Sequence, residues 1–324
     1  MAEIVESIEG FGLSKGKKHK GSLSKVGIIG CGTMGQEITL EVSKNGIDVV
    51  FIDLDERKIR EALEAMELVL DNMINRWGLT ESEKRGILQR IKGSLDYSDI
   101  SDCDLIIEAI NTKKLGTSKE ARQDVFKKVE SVVRPDAVIC SNTATLMISD
   151  LAMVLQHPDR ALGLHFLNPV DSTNIVEVVK GFQTSDDAYD FVIKFAGMLR
   201  KKVIRVNESP GNIHTRMVCP YINEACNILM EGVASVRDID ITMKQASGNQ
   251  FGPFEMADRI GLDKLLRWMN NLYEEFGELK YKPSPIIKRL VRANHLGQMT
   301  SIGFYKYENG KATEQTVTCA EINN

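Results

Sequence analysis

The stretch Val26-Gly27-Ile28-Ile29-Gly30-Cys31-Gly32-Thr33-Met34-Gly35 decides the fold. An apolar run of strand length stops at a G-x-G-x-x-G turn, a helical stretch then reaches Lys44, and residues 48–52 read as a second strand. In such a βαβ unit the first glycine permits the tight turn, the second lets the backbone approach a pyrophosphate, and the third lets helix pack close on strand. The helix N-terminus adds free N–H groups and the positive end of its dipole. Asp53 closes the second strand 23 residues after Gly30, where a carboxylate accepts hydrogen bonds from an adenosine ribose. It would repel a 2′-phosphate, and Leu54-Asp55-Glu56 brings no cation to offset this, so the expected cofactor is NAD and not NADP. Gly30, Gly32, Thr33, Met34, Gly35 and Asp53 are the candidate cofactor-binding residues.

Downstream, Ile59, Leu63, Met66, Val69, Leu70 and Met73 recur at helical spacing, and Thr80 with Glu83 forms a capping box for the next helix. Short buried strands are expected at residues 105–107, 137–140, 161–165, 175–179 and 203–206. Strands alternating with helices imply a Rossmann-type α/β domain, a doubly wound and mostly parallel sheet covered on both faces. Ser209-Pro210-Gly211 then punctuates the chain, and residues 213–231, 238–245, 262–276 and 285–294 read as helices, with no strand expected before Gly303-Phe304-Tyr305. The expected organisation is an N-terminal arm over residues 1–24, the nucleotide-binding domain over 25–207, an all-helical domain over 208–310 and a frayed tail over 311–324. The arm carries Lys15, Lys17, Lys18, His19 and Lys20 among Gly and Ser, a composition too poor in apolar area to order itself.

Composition limits the function classes. With 43% hydrophobic and 27% charged residues the chain is an ordinary globular protein. Its 41 Lys and Arg against 45 Asp and Glu give a net charge of -4, so no whole-protein field draws in nucleic acid or an anionic membrane. The six cysteines lack C-x-x-C spacing and several lie in apolar stretches, which suits reduced thiols; no metal is expected. No apolar run reaches the roughly 18 residues that cross a bilayer, and the polar start lacks the apolar core of a signal peptide. A cytoplasmic location is the expectation.

The segment Leu164-His165-Phe166-Leu167-Asn168-Pro169, followed by Val176-Glu177-Val178-Val179, resembles the H-F-F-N-P and V-E-V-I signatures of the 3-hydroxyacyl-CoA dehydrogenase family. Glu208-Ser209-Pro210-Gly211, Pro220-Tyr221-Ile222-Asn223-Glu224-Ala225, Gly252-Pro253-Phe254-Glu255 with Asp258, and Leu296-Gly297 before Gly303-Phe304-Tyr305 match further motifs in the right order. The likeness runs from about residue 25 to 307. It implies a homodimer formed through the helical domain, with residues 217–230 and 262–273 as contact faces, and an acyl-CoA substrate.

The residues themselves carry the chemistry. Hydride removal from a secondary alcohol requires loss of the hydroxyl proton, and imidazole is the side chain whose unperturbed pKa lies closest to working pH. His165 ends an expected strand, the edge where open α/β sheets bind ligands. Glu177, on the next strand, can face that imidazole, fix its tautomer and stabilise the imidazolium. By resemblance these two are the catalytic dyad, with Asn168 as a positioning residue, although an Asn before Pro also serves turns. Ala109 and Asn142 resemble cofactor-facing positions.

Elsewhere the sequence departs from the family. Where the family has S-N-T-S-S, Ser141-Asn142-Thr143-Ala144-Thr145 puts Ala144 at the serine that binds the substrate oxygen, leaving Thr143 or Thr145 to supply a hydroxyl from a shifted place. Where the family has P-G-F-I-V-N-R, Thr215 replaces the asparagine that contacts the substrate carbonyl. Asn212 and His214 flank it, and one residue of helix rotation decides which of them takes over a lost contact. Thr112 stands at a cofactor-facing glutamate, ahead of a short insertion at residues 113–118, and Met299-Thr300-Ser301 replaces K-T-G. Arg76 falls near a lysine that meets CoA in the family, and an exposed surface arginine is the plainer reading. The expected activity is NAD-dependent interconversion of (3S)-3-hydroxyacyl-CoA and 3-oxoacyl-CoA; the alternatives are a dehydrogenase of a non-thioester 3-hydroxy acid and an NAD-binding dimer with little catalysis.

Overall fold

The computed structural model describes residues 23–111 and 118–317. The first domain is built on β1 (Lys25–Ile29), α1 (Thr33–Lys44), β2 (Asp48–Ile52), α2 (Glu56–Asn75), α3 (Glu81–Gln89), β3 (Ile91–Ser94), β4 (Leu105–Glu108), α4 (Ser118–Val132), β5 (Val138–Ser141), α5 (Ile148–Ala152), β6 (Ala161–Phe166), β7 (Ile175–Lys180), α6 (Asp186–Met198) and β8 (Lys202–Asn207). Among the described residues its eight strands form one sheet in the order β3-β2-β1-β4-β5-β6-β7-β8. All neighbours pair in parallel except β6 with β7, so the last two strands run against the rest. The order reverses between β1 and β4, and such a switch point opens a crevice at the carboxyl ends of the strands.

Two apolar layers sandwich the sheet. One gathers Val26, Ile28, Phe51, Leu105, Met66 and Phe195, the other Ile29, Val50, Ile106, Ile139 and Phe126. Strands buried on both faces need nearly continuous apolar sequence, which is why residues 26–29, 49–52 and 105–107 are so readable. Strand β3 is not anticipated from sequence, since Ile91-Lys92-Gly93-Ser94 holds one strong strand former; it forms as an edge strand paired to β2.

The second domain holds α7 (His214–Met230), α8 (Val236–Ser247), α9 (Pro253–Ile260), α10 (Leu262–Phe276) and α11 (Pro285–Arg292), closed by the hairpin β9 (Tyr305–Glu308) and β10 (Lys311–Gln315). Its core of Ile222, Phe254, Leu265, Met269, Ile287 and Phe304 also takes in Ala144 from the first domain, so the two apolar interiors meet at that alanine. Two buried carboxylates explain the Gly252-Pro253-Phe254-Glu255 motif and its companion Asp258. Asp240 accepts the Phe254 and Glu255 N–H groups at 2.8 and 2.9 Å and caps α9. Asp258 accepts the Phe304 and Tyr305 N–H groups at 2.9 and 3.0 Å and the Tyr307 hydroxyl at 3.0 Å, which ties β9 to α9. The tail expected beyond residue 310 instead begins with β10. Asn309 and Gly310, with φ 52° and 75°, supply the two left-handed residues that a tight hairpin turn requires.

Candidate active site

The nucleotide turn sits at the switch point. Gly30 has φ 90° and sends its N–H to the Ile52 carbonyl at 2.8 Å. A Cβ at Gly35 would lie 2.0 Å from the Gly30 carbonyl oxygen, so helix and turn are in backbone contact there. A Cβ at Gly32 would meet nothing within 4 Å. Gly32 is also the N-cap of α1 and no side chain caps it, so the first-turn N–H groups beside Thr33 and Met34 face open space, the cradle a pyrophosphate needs. Asp53 Oδ2 accepts the Cys31 N–H at 2.9 Å and Oδ1 the Leu54 N–H at 2.7 Å, which fixes the carboxylate at the mouth of the turn. These residues fit an NAD pyrophosphate and adenosine ribose.

Neighbouring strand ends complete this wall. The Ala109 N–H donates to the Ile29 carbonyl at 2.8 Å, and Asn142, past the end of β5, donates its N–H to the Glu108 carbonyl at 2.8 Å. The Asn142 side-chain oxygen accepts the Phe166 N–H at 2.8 Å and so holds the end of β6 where His165 stands.

Antiparallel pairing of β6 and β7 places His165 opposite Glu177. Their side chains meet, Nδ1 to Oε2, at 2.7 Å, and both residues are buried. Glu177 Oε1 accepts the Ile213 and His214 N–H groups, at 3.2 and 3.3 Å, at the start of α7. Burial alone would raise the Glu177 carboxyl, but the hydrogen bond and charge of His165 and the two amides outweigh it and hold the group below the usual carboxylate range. An ionised Glu177 accepts the proton on Nδ1 and leaves Nε2 for a substrate.

Both parts of the site match one family along almost the whole chain. Residues 25–209 match the family description "3-hydroxyacyl-CoA dehydrogenase, NAD binding domain", and residues 211–307 match "3-hydroxyacyl-CoA dehydrogenase, C-terminal domain". The chain belongs to the 3-hydroxyacyl-CoA dehydrogenase family. It is 37% identical over 287 residues to a 3-hydroxybutyryl-CoA dehydrogenase of Clostridioides difficile, covering 87% of this chain and 99% of that relative. The crystal structure of an (S)-3-hydroxybutyryl-CoA dehydrogenase from Ralstonia eutropha superposes with a TM-score of 0.80 at 37% identity, covering 89% of this chain and 100% of that one. A Mycobacterium tuberculosis structure, FadB2, gives 0.85 at 31% identity with coverage of 89% and 100%. The chain is thus an NAD-dependent oxidoreductase of this family.

Within this dehydrogenase the remaining candidates fall in different places. The Asn168 amide donates to Glu37 Oε1 at 2.7 Å, and Glu37 Oε2 accepts the Val170 N–H at 2.8 Å, so the loop carrying Asn168 is moored to α1. Ala144 is buried in the helical-domain core. Thr215 is 0% exposed and its hydroxyl has no partner. Thr145 Oγ1 accepts from Asn271 of α10 at 2.8 Å, and the Thr143 hydroxyl accepts the Leu146 N–H at 3.1 Å. Arg76 is the exposed C-cap residue of α2, beside the fully exposed Trp77. Thr112 and residues 113–117 of the short insertion lie outside the described residues.

Sequence reasoning does not single out Glu37 or Lys264. Glu37 reads as a solvated helix residue until α1 is placed against the loop it moors; burial raises its carboxyl most, with the Val170 and Asn168 hydrogen bonds pulling the other way. Lys264 of α10 sits with its ammonium 4.9 Å from the centroid of the Trp268 ring; burial lowers its pKa most, and the charge of Glu37 across the cleft opposes this. A signal for both is a charged side chain near the N-terminal end of a helix, Glu37 just past the first turn of α1 and Lys264 within the first turn of α10.

Proposed function

We propose that this chain interconverts (3S)-3-hydroxyacyl-CoA and 3-oxoacyl-CoA, with His165 as general base in oxidation and general acid in reduction. The observation that carries the reading is the buried 2.7 Å pair of His165 and Glu177 at the strand edge beside the nucleotide turn. In oxidation His165 Nε2 takes the 3-hydroxyl proton while the hydrogen on C3 leaves as hydride, and Glu177 stabilises the imidazolium. When bound, NAD supplies the hydride acceptor. In reduction the imidazolium returns the proton to the 3-oxo oxygen. Asn142 holds the strand end that carries His165, and the loop of Asn168, moored through Glu37, bounds the cleft. Cytoplasmic residence and a role in fatty acid or butanoate metabolism accord with this substrate class.

The test is NADH oxidation with acetoacetyl-CoA by the purified protein beside His165→Ala. Turnover of about 1 s⁻¹ or faster, lost in the variant, supports the reading, since ordinary enzymes lie in that range. NADH binding without turnover overturns it for this substrate.

The active form is a homodimer in this reading. Ile213, Met217 and Leu279 are 50%, 69% and 73% exposed around the start of α7, a cluster that self-complementary pairing of two copies would cover. The apolar face of α10, by contrast, is spent within the chain on Leu262, Leu265, Met269 and Leu272. Sedimentation should give twice the chain mass, and Met217→Glu should shift it toward the single chain.

A further inference from the structure

The first turn of α7 holds two buried side-chain atoms with no hydrogen-bond partner, His214 Nδ1 and Thr215 Oγ1. A buried polar atom left unpaired costs about 1–3 kcal/mol, so each is either a standing cost or a contact that a ligand completes. The two differ in access. Thr215 is 0% exposed along its whole side chain, on the helix whose core also takes in Ala144. His214 Nδ1 is equally covered, but the residue as a whole is half-buried, so another part of its ring reaches the surface. The other neighbour, Asn212, is held in the turn before the helix with φ 47° and its N–H on the Ser209 carbonyl at 3.2 Å.

His214 is bound into the reacting centre. Its backbone N–H donates to Glu177 Oε1 at 3.3 Å, the carboxylate whose other oxygen holds His165. Its ring lies in the field of His165 and Glu177 from the first domain and of Lys264 from α10. Burial, His165 and Lys264 disfavour the imidazolium, Glu177 favours it, and the balance holds His214 below the ordinary histidine value. A neutral imidazole carries one N–H to donate and leaves the reacting proton to His165.

We infer that His214 hydrogen-bonds the thioester carbonyl oxygen of the substrate, supplying the polarising contact that Ala144 and Thr215 do not. The inference rests on the acyl-CoA reading above. In a 3-oxoacyl thioester the two carbonyls are separated by one carbon, so a substrate held at its 3-oxygen by His165 presents the thioester oxygen to an adjacent group. The start of α7 is adjacent through the shared carboxylate of Glu177.

Three proteins decide it: wild type, His214→Val, which removes the donor, and His214→Gln, which restores an amide donor. Each is assayed for NADH oxidation with acetoacetyl-CoA, for NADH affinity by fluorescence and for thermal stability. The expected result is a loss in kcat/KM of about 100-fold in His214→Val, the scale of a lost oxyanion donor, with NADH affinity unchanged and a melting temperature no lower than that of the wild type. His214→Gln should recover most of that loss. Wild-type activity in His214→Val overturns the inference, and so does an equal loss in both variants, which marks a packing role. A wild-type protein that binds NADH but does not turn over acetoacetyl-CoA overturns the acyl-CoA reading and the inference with it, whereas activity that persists in His214→Val overturns the inference alone.

Discussion

His165 and Glu177 meet inside the protein, where a carboxylate is tolerated only if its oxygens are satisfied. Glu177 meets that demand with His165 on one oxygen and two helix amides on the other. Removing its charge while keeping its shape should therefore damage chemistry more than folding. Glu177→Gln is expected to lower kcat for acetoacetyl-CoA reduction about 10²- to 10⁴-fold, the range of a lost acid–base contribution, with NADH affinity little changed. Steady-state kinetics beside equilibrium NADH binding measures both, and an equal fall in the two would mean that the strand pair had come apart. The pH sign follows from the direction of the shift. A carboxyl held below its unfolded value contributes stability above roughly pH 4.3 that is lost as pH falls through the folded pKa. Acid should thus loosen the pair before the sheet itself.

At the scale of elements, the turn before α1 leaves no room for substitution at Gly35. Gly35→Ala would push a methyl group against the Gly30 carbonyl and tilt the helix away from the cofactor cradle. NADH affinity should fall at least about tenfold, since a shift near 1 Å is enough to misplace groups that act by position; calorimetric titration would show it. This element was readable because its glycines, its acid at residue 53 and its flanking apolar strands each have one physical use. The sequence places Glu177 on the strand after His165 but not its register; the antiparallel pairing of β6 and β7 is what brings the two side chains together. Other elements were hidden. Residues 91–94 form a strand because β2 offers a free edge, a tertiary cause that no window of four residues contains. The hairpin β9–β10 did carry a local signal, Asn309-Gly310, which the polar character of the chain end masked. Glu37 and Lys264 approach each other across the cleft only when both domains are in place, and single-chain periodicity holds nothing of that.

At the scale of the whole molecule, burial pushes the Asp258 carboxyl up to about 7, with Phe304, Tyr305 and Tyr307 donating against that rise, and pushes Asp240 up to about 6. Folded-state values above the unfolded value of roughly 3.9 mean that the folded chain keeps protons that the unfolded chain has released. Charging these groups therefore costs the folded state more than the unfolded one, and stability from this source falls as pH rises from about 4 to about 7. Asp258→Asn should be less stable at pH 5, because it loses acceptors, yet its melting temperature should change less between pH 5 and 8 than that of the wild type. A variant as pH-dependent as the wild type would show that the carboxyl does not titrate in this window. The same carboxyls fasten the helical domain internally, while Glu177 fastens it to the sheet. One Glu177 oxygen grips the imidazole and the other grips the amides of Ile213 and His214, so a single carboxylate is the knot between β6, β7 and the start of α7. Deuterium uptake at those two amides should quicken in Glu177→Ala, because one lost side chain unties the backbone of one domain from the sheet of the other.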